Sequence, residues 1–413
     1  MPQGSLSAPQ DPNAPATLRR MLGLWLLVFY GLGSIIGAGI YVLIGVVADA
    51  AGYAAPVAFV LAGVLAALTG LSYAELSAPY PEAAGAAAYV QEAFGKPWLS
   101  RAIGLAVVAV GIFLSSSLAR GVVGYIDSFV AVPEMPVALA IIVFFTVVAC
   151  LGVGFAMRLA AWMTIVEIGG LAIVIAAGGP ALERLGEIAP LMMPDGLAGW
   201  SGVVAGAFFA FFAFLGFEDI VNMAEEAREP EKTLPRAIVL AIILSTAIYF
   251  VVTLIAVAAV PMETLAGSRA PLELVTQAVS WVPAGTLSAI AIIAIPNGIL
   301  ITLVMLGRII YGMVRRGWFP AALGAIHPVT RTPVRATVAA GIVVFVFTAL
   351  VPFIGLVTLT SAVNLCVFAT VNLALMRLQR LHPRSDLAFA AKRWCPPLAA
   401  GICVALLVLE MLR

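Results

Sequence analysis

Residues 33–40 read Gly33-Ser34-Ile35-Ile36-Gly37-Ala38-Gly39-Ile40 and lie in the middle of an apolar run over 21–48. That run is long enough to cross a bilayer as a helix. Glycine is a poor helix former, and three glycines fall within this short stretch. In hydrocarbon an opened backbone persists only where the protein itself uses the freed N–H and C=O groups. A glycine-rich break at mid-membrane depth therefore points to a ligand site. Small residues three or four apart also let two helices touch closely. The stretch alone leaves both readings open.

The chain around it fixes the class. Its 413 residues are 63% hydrophobic and 10% charged, with a mean hydropathy of +1.10. Soluble domains carry about 25% charged residues, so the composition specifies an all-α polytopic membrane protein. A net charge of +1 with no basic run gives no sign of a nucleic-acid partner. Cys150, Cys366, Cys395 and Cys403 form no CxxC pair or Cys/His cluster, so neither a disulfide frame nor a metal site is supported. His327 and His382 each precede a proline in a polar loop and read as plain loop residues. Residues 1–20 are polar and lack the apolar core of a signal peptide. They read as a disordered cytoplasmic tail, the next helix serving as an uncleaved insertion signal.

At about 20 apolar residues per span, eleven helices are expected: 21–48, 53–78, 101–130, 136–155, 159–178, 199–224, 236–260, 282–314, 334–352, 354–376 and 396–412. Residues 79–95 are small and polar and are expected at the interface; 261–279 is expected to form one short amphipathic surface helix. With a cytoplasmic N-terminus, the inner loops hold Arg19, Arg20, Lys96, Arg101, Arg158, Arg228, Lys232, Arg236, Arg315, Arg316, Arg331, Arg335 and all the basic residues of 377–393. The outer connections hold only Arg184, Arg269 and Arg413, with Arg120 expected to snorkel near an outer helix end. This bias places the N-terminus inside. A second interruption, Phe212-Ala213-Phe214-Leu215-Gly216-Phe217, falls in the sixth helix, five helices after the first. Matching breaks in two five-helix halves point to an inverted-repeat transporter. The division is then a core over 21–380, with repeats at about 21–180 and 199–377, and an additional loop and helix over 381–413.

The motifs carry a family resemblance. Gly31-Leu32-Gly33-Ser34-Ile35-Ile36-Gly37-Ala38-Gly39-Ile40-Tyr41 resembles the first-helix signature of amino acid–polyamine–organocation (APC) transporters. Tyr73-Ala74-Glu75-Leu76 with Pro81-Glu82-Ala83-Ala84-Gly85 resembles their second-helix end and re-entering loop. Gly216-Phe217-Glu218-Asp219, Asn222-Met223-Ala224-Glu225-Glu226 and Pro230 through Ile238 resemble the sixth helix and its following loop. Gly307-Arg308-Ile309-Ile310-Tyr311-Gly312-Met313 resembles the end of the eighth helix.

The resemblance implies a leucine-transporter-type five-plus-five inverted repeat that moves amino acids by alternating access. Carried over residue by residue, the substrate carboxylate meets N–H groups of Ala38 and Gly39, and the ammonium meets carbonyls of Ile35, Phe212, Ala213 and Leu215. Helix dipoles agree, since a half-helix N-terminus attracts an anion and a half-helix C-terminus a cation. The family commonly has twelve helices where eleven are found here, and Gly307 stands where it often has serine.

Among intramembrane polar groups, Glu167 and Thr302 are the candidates for ion or proton coupling. A hydrogen-bonded structural glutamate, and a threonine bonding its own helix, are the plain alternatives. Phe214 or Phe212 is a candidate gate, and Ser115 and Asn297 are candidate pocket residues. Glu218 and Asp219 lock the inner half-helix or gate the exit, and Glu75 reads as an inter-helix contact. No charge falls between the breaks, which favours neutral substrates. The expectation is an amino acid symporter of the cytoplasmic membrane, without cofactor, coupled to Na⁺ or H⁺. An exchanger or facilitator is the alternative, and a non-transporting sensor a further one. A membrane enzyme would need a catalytic constellation that the sequence lacks. Substrate and lipid bilayer are the expected partners; the sequence leaves the oligomeric state open.

Overall fold

The computed structural model describes residues 20–411 except 83, 128, 267, 269, 278 and 382–388. His382, Arg269 and residues 1–19 of the tail lie outside the described residues. Among the described residues eleven apolar helices follow in order: α1 Leu24–Ala51, α2 Ala55–Ser77, α3 Pro97–Asp127, α4 Glu134–Cys150, α5 Val153–Gly178 and α6 Gly196–Phe212. Then come α7 Pro230–Ala259, α8 Thr286–Arg315, α9 Val334–Leu350, α10 Phe353–Leu381 and α11 Cys395–Met411. Eight spans are long and apolar enough to cross a membrane; α4, α9 and α11 are shorter apolar helices. Outward faces carry Leu105, Val143, Phe144, Ile165, Ile243 and Ile342, and Trp25, Trp98, Trp200 and Trp394 are exposed at or beside helix starts. Such aromatic rings favour the membrane–water boundary.

Local chemistry explains the boundaries. Gly52, at φ +57, closes α1, and Gly152, at φ +131, turns the chain into α5. Proline at its first position starts α7 at Pro230, six residues earlier than the sequence pattern indicates; Pro235 sits inside the helix. The segment expected as one surface helix is instead two short ones, Met262–Ala266 and Pro271–Gln277. Pro271 lacks an N–H and opens a new helix more readily than it continues an old one. The segment after α2 also departs from expectation. Its helix, Gly85–Phe94, is not laid on the surface but packs on α3 and α10 with Gly85 to Val90 buried. Its run of alanines lets the backbone approach that closely. Arg120 does more than snorkel: it binds the Thr348 carbonyl at 2.8 Å and pairs with Glu134 at 2.9 Å.

Packing repeats with a five-helix offset. As α1 packs on α7, α6 packs on α2; as α3 packs on α10, α8 packs on α5; as α4 packs on α8, α9 packs on α3. The pairs α2–α7, α3–α8 and α4–α9 map onto themselves, and α11 lies outside against α2 and α10. This pattern of contacts is the one a five-plus-five repeat requires. One reciprocity fails. Helix α1 packs well on α5 and α8, whereas the chain at and after α6 makes only sparse contact with α10 and α3.

Candidate functional site

The first helix is broken where its glycines fall. Gly37 has φ 2 and ψ −145, the non-helical point inside α1. In the sixth, residues 213–216 form turns, Gly216 reaches φ +122, and the chain continues as a tight 3₁₀ helix, Phe217–Glu226. The two breaks lie against each other. A Cβ on Gly39 would stand 2.6 Å from Ala213 Cα, and one on Gly216 would collide with Ser34. Only glycine permits either approach.

Tyr249 of α7 joins them. Its hydroxyl lies 2.7 Å from the Ile35 carbonyl and 2.9 Å from the Ala213 carbonyl. A hydroxyl has one proton to donate, so it serves one carbonyl at a time. Two carbonyls assigned to the ammonium are thus brought together, with a neutral side chain at their meeting point. The Phe212 carbonyl is engaged in the turn, accepting from Leu215 N–H at 3.2 Å. Leu215 is buried, and Phe212 is half-buried. Ala38 and Gly39 open the second half of α1. Phe214 is fully buried, stacks edgewise on Tyr249 at 5.0 Å and lies against Gly63 of α2.

Below the first break, Ser34 donates to Asp219 at 2.8 Å. Glu218 accepts from Gly216 N–H at 2.8 Å and from the Asn364 amide of α10 at 2.8 Å. Gly33, left open as a packing residue, faces Thr164 and Asn297, and any Cβ there would strike both. Asn297 donates to Thr164 at 2.9 Å, but its carbonyl oxygen has no partner. Glu167 is fully buried with its carboxyl beside the Asn297 side chain; Tyr41 donates to its backbone carbonyl at 2.8 Å. Thr302 has a buried hydroxyl with no partner among the described residues, its own helix included. Of the serines on α3, Ser116 and Ser117 bond carbonyls while Ser115 is buried and unpartnered. Glu75 accepts from Gln379 and from Ala391 N–H, each at 2.8 Å, tying α2 to α10 and the approach to α11.

At the end of the bundle where α1 begins, a buried ion pair joins two elements. Arg308 of α8 grips Glu226 through two nitrogens at 3.1 and 3.2 Å, both side chains buried. Glu226 in turn accepts from Met21 and Leu22 N–H through its carbonyl, and Arg228 N–H returns to the Leu22 carbonyl. On the surface nearby, a hydrogen bond from Lys232 holds the Glu229 carboxyl below its usual range. Sequence reasoning assigned no role to Tyr249, Asn364 or the Arg308–Glu226 pair. A lone arginine in an apolar span was itself the signal, because it requires a buried acid. Nothing in the pattern identified Tyr249.

Comparison with known proteins agrees with this architecture. The profile of the amino acid permease family matches residues 22–412. A vacuolar cationic amino acid transporter of Arabidopsis thaliana is 29% identical over 90% of this chain, which spans 65% of that protein's length. A branched-chain amino acid permease of Bacillus subtilis is 28% identical over 94% of this chain and 86% of its own. A methylthioribose transporter of the same organism is 29% identical over 94% and 88%.

Proposed function

The chain belongs to the amino acid permease family, and from that premise we propose a secondary transporter working by alternating access in the cytoplasmic membrane, N-terminus inside. Its substrates are small or medium neutral L-amino acids, moved with H⁺ or Na⁺. The observation that carries this reading is the convergence of the Ile35 and Ala213 carbonyls on one point beside the Gly37 break. Carbonyls at broken helices suit an ammonium, and the open N–H groups of the following half-helix suit a carboxylate.

Tyr249 holds the ammonium's place in the empty site, and substrate displaces its hydroxyl. The carboxylate lies against Ala38 and Gly39. Phe214 responds through its stacking on Tyr249, so that loss of the hydroxyl contact and movement of the gate are one event. The Arg308–Glu226 pair is the inner latch, which must part for release. Glu167 is the proton carrier, a fully buried acid with no ion-pair partner among the described residues, and Thr302 is a cation ligand, its buried hydroxyl being unpartnered among them. The branched-chain permease among the relatives supports a neutral, apolar substrate.

The test is uptake of labelled amino acids into liposomes holding only this protein, with H⁺ and Na⁺ gradients imposed separately. Accumulation driven by one gradient is expected. Binding without flux under every gradient would overturn the transporter reading.

A further inference from the structure

A narrow cavity lies where the second half of the interrupted sixth helix faces α3, α8 and α10, with room for one water-sized occupant. Tyr73, Glu218, Asp219, Asn222 and Asn364 line it, with Met305 on the far wall. Two acids adjacent in sequence are therefore buried at one place, at 8% and 4% exposure. Among the described residues, neither has an ion-pair partner. Two buried carboxylates cannot both stay ionised cheaply without a compensating cation.

The hydrogen bonds show how much charge is left over. Both oxygens of Glu218 already accept from N–H donors, those of Gly216 and Asn364. Asp219 accepts one hydroxyl, from Ser34. A second feature is independent of the acids. The carbonyl oxygen of Asn222 is buried and, among the described residues, has no partner; the residue is only 3% exposed and borders the same cavity. Gly85, at φ +45, lies against that oxygen, where any Cβ would displace it. An unpartnered acceptor beside a carboxylate with spare capacity is a set of hard oxygen donors for a cation. Among the described residues no group of three or more metal-binding side chains occurs, which argues against a divalent ion.

We propose that this cavity binds one monovalent alkali cation, held by Asp219 and the Asn222 carbonyl oxygen, with Glu218 as the outer charge. Because Asp219 also holds Ser34, an occupied site braces the first break against the sixth. The inference concerns binding and stands apart from the transport reading and from Glu167 and Thr302.

Radiosodium binding to the purified full-length protein, in choline buffer, tests it. Saturable binding is expected, with affinity falling about tenfold or more in both Asp219→Asn and Asn222→Ala. Sodium should also raise the melting temperature of the wild type but not of Asn222→Ala. That variant leaves the Ser34–Asp219 and Asn364–Glu218 bonds in place and decides the matter alone if Asp219→Asn fails to fold. Absent binding, or undiminished binding in Asn222→Ala, overturns the proposal, as does a melting temperature that follows pH and ignores sodium. Amino acid flux without sodium binding would sink this inference and keep the proposed function; sodium binding without flux would do the reverse.

Discussion

The two halves of the repeat treat equivalent seams in opposite ways. Where α1 meets α5 and α8, Gly33 lets the Thr164–Asn297 pair press against the helix backbone, and the seam is packed. Where the continuation of α6 meets α10 and α3, contact is sparse and a cavity remains, bordered by Glu218, Asp219 and Asn364. Each seam holds buried acid and amide groups. The first is closed by small residues; the second is bridged by side chains, Asn364 to Glu218 and Phe368 against Phe217, around the cavity. The repeat thus sets the helix positions, and side-chain size and charge decide which seam can admit a ligand.

That contrast can be broken at several points. Arg308→Ala should have the largest effect, because Arg308 reaches from α8 of the packed seam to Glu226 at the end of the α6 continuation, and Glu226 would be left buried and unpaired. A loss of about 3–5 kcal/mol is expected in thermal or denaturant unfolding. Gly33→Val forces a side chain into the packed seam and should cost about 1–3 kcal/mol; wild-type stability would show that this seam is not tightly closed. Tyr249→Phe removes the hydroxyl shared by Ile35 and Ala213. Stability without substrate should fall by about 1 kcal/mol. Amino acid binding by calorimetry should tighten by a factor of about five, since no hydroxyl need be displaced. Weaker binding would mean that Tyr249 contacts the substrate directly. Glu167→Gln should change stability least, within about 0.5 kcal/mol, because the amide keeps the size of the carboxyl and can still meet the Asn297 side chain. Uptake should then stop responding to an imposed proton gradient, and an unchanged response would remove Glu167 from coupling.

Much of the scaffold was legible because membrane insertion writes itself into sequence. Helices α4, α9 and α11 were each found although they are short, since a bilayer demands unbroken apolar runs. The breaks were also legible. Gly37 is the non-helical point of α1 and Gly216, at φ +122, takes a conformation for which other residues are poorly suited, and both fall inside the stretches singled out. Less legible was what each break touches. Asn297 and Phe214 are expected beside the site, but their contacts, Asn297 with Thr164 and Phe214 with Gly63 and Tyr249, are not in the pattern. The helix Gly85–Phe94 looked interfacial by polarity and is buried, because alanine is compatible with either place. A span's rotation about its axis leaves little trace in a sequence that is apolar on every side.

The sequence by itself determined the class, the eleven helices, the positions of the two breaks and the membership of a permease family. Those features depend on hydropathy, backbone freedom and local motif, all of which act over a few residues. Only the tertiary structure decided that Tyr249 bridges Ile35 and Ala213, that Arg308 closes on Glu226, and that Asn222 borders a cavity with Asp219. The first two join residues between 36 and 214 positions apart in the chain. Such partners are set by how rigid helices rotate and pack, and close packing is a property of the assembled bundle rather than of any one segment.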